Sequence, residues 1–128
     1  MNFPDNLKYT REHEWVRVEG GEAVIGITDF AQKALGDIVF IDIDTEGETL
    51  AAGEKFGAVE AVKTVSDLFM PIGGKVILVN TSLEVAPETV NKSPYSEGWM
   101  IRVQIDTPAD LDGLMSVSEY EAFADSLT

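Results

Sequence analysis

Along most of the chain, short apolar and polar runs alternate between glycine, proline and small polar residues, a pattern that predicts strands joined by turns. Residues 1–12 read as irregular, broken by Pro4, Asp5 and Asn6. His13 to Glu19 alternates, and Gly20-Gly21 offers a hairpin turn into Ala23 to Ile27. Thr28-Asp29 predicts a cap for a short helix with Phe30, Ala31, Ala34 and Leu35 at helical spacing, closed by Gly36. Ile38 to Ile43 does not alternate, which predicts a strand buried on both faces for most of its length. Two apolar runs, Phe56 to Val62 and Val65 to Met70, flank Lys63 and predict a hairpin with the lysine at or beside its turn. Lys75 to Asn80 and Trp99 to Ile105 read as two further strands, and residues 81–96 between them as the longest connection. Thr107-Pro108 predicts a helix start, and Ser118 with Glu121 matches a capping box for a last helix carrying Tyr120, Phe123 and Leu127.

Many short strands with few helices predict a mainly β fold, a small sandwich or barrel with helical appendages. No linker or low-complexity tract divides residues 1–128, so a single domain is expected. Composition narrows the classes of partner. With 23 acidic against 9 basic residues, the net charge of −14 repels phosphate backbones and anionic lipid, so neither nucleic acid nor membrane is an expected partner. The same charge favours a monomer and basic docking surfaces on other proteins. No apolar run reaches membrane-spanning length, and no signal or transit pattern opens the chain. The protein is expected in the cytoplasm, or as a mature form without its leader.

Catalytic chemistry is thin. Zero cysteine removes thiolate nucleophiles and Cys-based metal sites, and one histidine, His13, cannot build a multi-histidine site. His13 is expected at the surface near a strand start, with no serine placed beside it. The acids carry no calcium-loop pattern, and neither G-x-G-x-x-G nor a P-loop occurs. What remains is Lys63, with no other cation between Lys55 and Lys75. A Schiff-base role would need a desolvated amine, and an exposed turn does not supply one. An exposed turn does suit an attachment point, where acylation removes the lysine's charge and tethers a cofactor near its partners.

The run Gly57-Ala58-Val59-Glu60-Ala61-Val62-Lys63-Thr64-Val65-Ser66-Asp67, followed by Pro71 and Gly74, resembles the lipoyl-attachment hairpin of glycine cleavage system H proteins. Three other stretches agree in the same order. They are Tyr9 with His13-Glu14-Trp15-Val16, Gly26 to Gln32 with Leu35-Gly36-Asp37, and Ser93-Pro94-Tyr95 with Gly98-Trp99-Met100. Lipoyl domains of 2-oxoacid dehydrogenases usually carry Asp-Lys-Ala at the tip, and biotin carriers place Met on both sides of the lysine, where this chain has Val62 and Thr64.

The resemblance implies a barrel-sandwich hybrid of two small antiparallel sheets, with a lipoyl-type core over about residues 22–105 and the N-terminal strand and C-terminal helices packed on it. It implies no catalysis by the chain itself. Lipoate on Lys63 would accept the aminomethyl group left when the P protein decarboxylates glycine, and present it to the T protein. The L protein would then reoxidise the arm. Glu60, with Val62 and Thr64, would belong to the tip recognised by the lipoylating enzyme. Glu14 and Asp67 match acidic positions near the folded-back arm, where an acid pairs with the loaded amine; as plain residues, each is a solvated carboxylate. Two departures stand out: Ala34 where some members have histidine, and Phe69-Met70 where a smaller or polar pair is common. Trp15 and Trp99 are expected as core anchors, and Tyr95 as a residue packing down the long connection. Two alternatives keep the same fold: a relay of lipoyl groups to other complexes, and a binding module in which Lys63 stays unmodified.

Overall fold

A computed structural model describes residues 1–127. Its strands form two antiparallel sheets. The larger holds β1 (Lys8–Tyr9), β2 (Glu14–Glu19), β3 (Glu22–Ile27), β5 (Thr49–Leu50), β8 (Gly74–Val79) and β9 (Ile101–Ile105), in the order β1-β2-β3-β9-β8-β5. The smaller is β4 (Ile38–Asp42), β6 (Lys55–Ala61) and β7 (Val65–Phe69), in the order β4-β6-β7. Helix α1 spans Asp29–Leu35, α2 Ser82–Val85, α3 Thr89–Lys92 and α4 Val117–Asp125, with a 3-10 turn at Pro108–Gly113.

The inward residues of both sheets share one core, in which Ile25, Phe56, Val59, Ile72, Val76, Ile101 and Val103 are fully buried. Alternation turns Ile101 and Val103 of β9 inward together, the register shift between Lys55 and Gly57 brings Phe56 to the same side as Val59, and Ile72 enters from the loop before β8; their burial is the main favourable term for folding. This is the barrel-sandwich architecture expected. A second cluster, Leu7, Tyr9, Trp15, Val24 and Tyr120, fastens the N-terminal strand and α4 to the back of the large sheet. Tyr9 and Tyr120 stack with ring centroids 4.7 Å apart.

The helix over Asp29–Leu35 forms as its sequence predicts: Thr28 accepts the Ala31 N–H, and Gly36 closes it with φ +79°, a conformation only glycine takes freely. Four expectations need correction. The strand from Ile38 is not buried on both faces, because its register shifts between Ile38 and Phe40 and leaves Val39 and Phe40 about half exposed. The connection over residues 81–96 contains α2 and α3, each anchored by a single buried apolar side chain, Leu83 and Val90. Thr107 gives no side-chain cap, and a 3-10 turn replaces the helix expected there. The capping box of α4 is Ser116 with Glu119 rather than Ser118 with Glu121, and Leu127 falls outside the helix, 51% exposed.

Candidate functional site

β6 and β7 pair from Lys55↔Phe69 to Glu60↔Val65, and the Ala61 N–H donates to the Thr64 carbonyl at 2.8 Å. Val62 and Lys63 are thus the two residues of the turn. Neither takes a positive φ, since His13 is the only non-glycine residue among those described that does. The turn is therefore not the mirror-image type that Asn-Gly forms spontaneously, and it needs outside support. Support comes from the Val62 N–H, which donates to the Asp37 carbonyl at 3.0 Å.

The segment beneath the turn is itself clamped. Asn91, on α3, accepts the Ile38 N–H at 3.0 Å and donates to the Gly36 carbonyl at 2.9 Å and to Gln32 Oε1 at 3.0 Å. One amide thus brackets the 36–38 segment whose central carbonyl holds the lysine turn. The Lys63 side chain lies across Gly36, where a Cβ would stand 3.6 Å from its Cε. Lys63 is exposed, and among the described residues it forms no ion pair. Val62 and Thr64 are exposed beside it, and Glu60 is half-buried one step down the strand. Ala34 is also exposed.

The remaining candidates lie elsewhere. Asp67 is exposed, three strand positions from the turn, and pairs with Lys55 at 3.2 Å. Glu14 is not solvated at all: it is 2% exposed, receives the Thr10 hydroxyl at 2.7 Å, and accepts the Phe69 N–H at 3.4 Å. Burial pushes its carboxyl up to about 7, against the pull of those two donors. Glu14 lines a groove of about 280 Å³ with Thr10, Phe69, Met70, Pro71 and Met115, at the far end of β7 from Lys63. Asp67 does not line it. Met70 is buried in the core, and Phe69 is the partly exposed member of the pair.

His13 is also not the surface residue expected. Its ring stacks on Phe30 and Phe123, and Nδ1 lies 2.7 Å from the Tyr120 hydroxyl, so burial lowers its pKa. It is committed to packing α4. The roles that sequence reasoning missed are those of Asn91, Thr10 and Asp37, which act through hydrogen bonds across the fold; only Asp37 stood inside a motif that carried the resemblance.

The separated motifs meet in space. The Trp15 indole N–H donates to the Pro94 carbonyl at 3.0 Å, and its ring covers Gly26, where any Cβ would stand 2.7 Å from it. The Asp29 N–H donates to the Tyr95 hydroxyl at 2.9 Å. Tyr95 therefore ties the long connection to the start of α1, beyond simply packing it down.

A family model described as "Glycine cleavage H-protein" matches residues 7–126. The chain is 60% identical over 122 residues to the glycine cleavage system H protein of Bacteroides fragilis, covering 95% of this chain and 97% of the relative. It is 57% identical over 122 residues to that of Brevibacillus brevis, again covering 95% and 97%. The crystal structure of a glycine cleavage system H protein from Mycobacterium marinum superposes with a TM-score of 0.86 at 40% identity, covering 94% of this chain and 97% of that one. An exposed lysine turn, motifs that meet in the fold, and a match over nearly the whole length lead to one assignment: the chain belongs to the glycine cleavage H-protein family.

Proposed function

We propose that this chain is a single-domain, non-catalytic lipoyl carrier of the glycine cleavage system, working in the cytoplasm as a monomer, with lipoate held as an amide on Lys63. The observation that carries this reading is the turn itself: one exposed amine, with no ion pair among the described residues, on a two-residue tip pinned from below through Asp37. A pinned turn lets an enzyme find the amine in one place, and Gly36 beneath leaves its stem uncrowded.

The residues present fit the group. The groove at Glu14 is lined by Phe69, Met70 and Met115, apolar or soft side chains suited to an aliphatic arm, with Glu14 its buried carboxyl and Arg11 and Glu12 also on its walls. When bound, lipoate supplies a disulfide that takes up an amine-bearing one-carbon unit and two electrons, and later returns both. The protein's own residues hold and shelter that load. Glu14 receives the ammonium end, Phe69 covers the stem, and Asp67 stands exposed on β7 between tip and groove. Glu60, with Val62 and Thr64, is read by the lipoylating enzyme, and the P, T and L proteins meet the arm in turn.

The direct test is intact mass with a peptide map across Lys63 on protein from its native host. A lipoyl adduct on Lys63 is expected, and Lys63→Arg should abolish both the adduct and glycine cleavage in a reconstituted system. An unmodified Lys63 in a host that lipoylates its other carriers overturns the proposal.

A further inference from the structure

The outer face of the small sheet carries a row of apolar side chains that the core does not use. Cross-strand partners project to the same side, so Phe40↔Glu60 and Glu60↔Val65 place Phe40, Glu60 and Val65 in one line directly below the lysine turn. Phe40 is 51% exposed, Val65 62%, Val62 at the tip 75%, and Val39, turned outward by the register shift, 50%. An alternating sequence would have sent every second residue of β4 inward; the irregularity turns two consecutive large side chains out instead. Exposed Asp37, Asp42 and half-buried Glu60 edge or interrupt this apolar row.

Resting on the carrier reading above, we propose that Val39, Phe40, Val62 and Val65 form the docking face for the enzyme that acylates Lys63, and that its complementary surface is an apolar ledge rimmed by basic side chains. Reach selects this occupant. Acylation forms the bond from Nζ to the acyl carbon of an activated donor, a mixed anhydride or thioester. The donor's leaving group departs with its electron pair. Of the three protons on the ammonium form of Nζ, two leave to a base and one stays on the amide nitrogen. That chemistry happens on the lysine itself, so the acylating enzyme has to cover the residues next to it. Enzymes acting at the far end of the arm do not. Charge supports the same choice: apart from Lys55 and the acceptor Lys63, the charged residues around the face are the acids Asp37, Asp42, Glu60 and Asp67, on a protein of net charge −14, which matches a basic rim. Apolar contacts at the centre of such a face carry most of the affinity, and the charges set the encounter rate.

The experiment measures lipoylation of the purified unmodified chain by its host's lipoylating enzyme, with lipoate and ATP, comparing the wild type with Phe40→Ser, Val65→Thr, their double variant and Val62→Thr. Val18→Thr, exposed on the large sheet, serves as control. The double variant should raise KM about tenfold with kcat within about twofold, Val62→Thr should raise KM less, and Val18→Thr should change nothing. Added salt should slow wild-type lipoylation. Matching melting temperatures separate docking from misfolding; if the double variant is destabilised, Val62→Thr decides alone, since its side chain stands clear of the core. Lipoylation of the folded variants at the wild-type rate overturns the proposal, as does normal lipoylation followed by failed glycine cleavage, which would assign the face to a later enzyme. A wild-type chain that takes up no lipoate, beside host carriers that do, would instead bring down the carrier reading.

Discussion

Glu14 enters the folded protein at a cost. Its carboxyl is held near a pKa of about 7 by burial, against 4.5 for the same group in water, so the folded state binds a proton more tightly than the unfolded one. For an acid with a raised pKa, stability is highest below about pH 4.5, falls as pH rises through the interval to about 7, and then stays lower. The full difference corresponds to about 3 kcal/mol. Glu14→Gln removes the titration while leaving an acceptor for the Phe69 N–H. Urea melts should show the variant more stable than wild type at pH 8 by about 1–3 kcal/mol, with the gap closing toward pH 5; a gap that does not change with pH would contradict this origin. In the carrier reading the same charge holds the loaded amine, so the stabilised variant should also lose its shelter for that load, measured as faster decay of the loaded species at pH 8. Lys63 was legible because its isolation is written in the sequence. The burial of Glu14 was not, because its donor on Phe69 lies 55 positions away and arrives only when β7 folds beside it.

Elements were read well where local rules act alone and poorly where a distant partner chooses between local options. Ser116 with Glu119 and Ser118 with Glu121 both satisfy the capping-box pattern. The first forms because Met115 exchanges two hydrogen bonds with Tyr9, which hold it extended and leave Ser116 as the next residue free to cap. Ser116→Ala should therefore destabilise the protein by about 1 kcal/mol, whereas Ser118→Ala, exposed inside the helix, should be near neutral in the same thermal melts. The strand from Ile38 misled for a related reason: a continuous apolar run looks identical whether it is buried on both faces or bulges outward to build a surface. Asn91 belongs at this scale too, since one amide joins α3, the end of α1 and β4. Asn91→Ala should cost about 2 kcal/mol through the groups it leaves unpaired. More specifically, it should speed amide exchange at Val62, whose bond to Asp37 the clamp supports. Exchange at Val62 no faster than the global loss of stability requires would remove Asn91 from the support of the lysine turn.

At the scale of the whole molecule the topology was reachable only through resemblance; periodicity found most of the strands but not which sheet each joins. The four motifs, distant in sequence, matter together because Trp15 meets Pro94, Tyr95 meets Asp29 and Val62 of the lysine hairpin meets Asp37, contacts that no local pattern announces. Charge, in contrast, was legible from the start, and it sets a further expectation. Twenty-three acids face 9 bases, and the ion pairs Arg17–Glu19, Arg102–Glu19, Arg102–Glu22 and Lys55–Asp67 are all at the surface. Pairs of that kind contribute at most about 1 kcal/mol each and weaken with salt. Repulsion among the remaining acids acts over longer distances, opposes the compact state, and is screened as the Debye length shortens from about 30 Å at 0.01 M to about 8 Å at 0.15 M. If repulsion outweighs the pairs, sodium chloride should stabilise the fold, raising the melting temperature by about 4 °C for each kcal/mol of repulsion removed. The opposite sign, a melting temperature that falls as salt is added, would mean that the few surface pairs govern stability and that the acids are already spaced widely enough not to oppose folding.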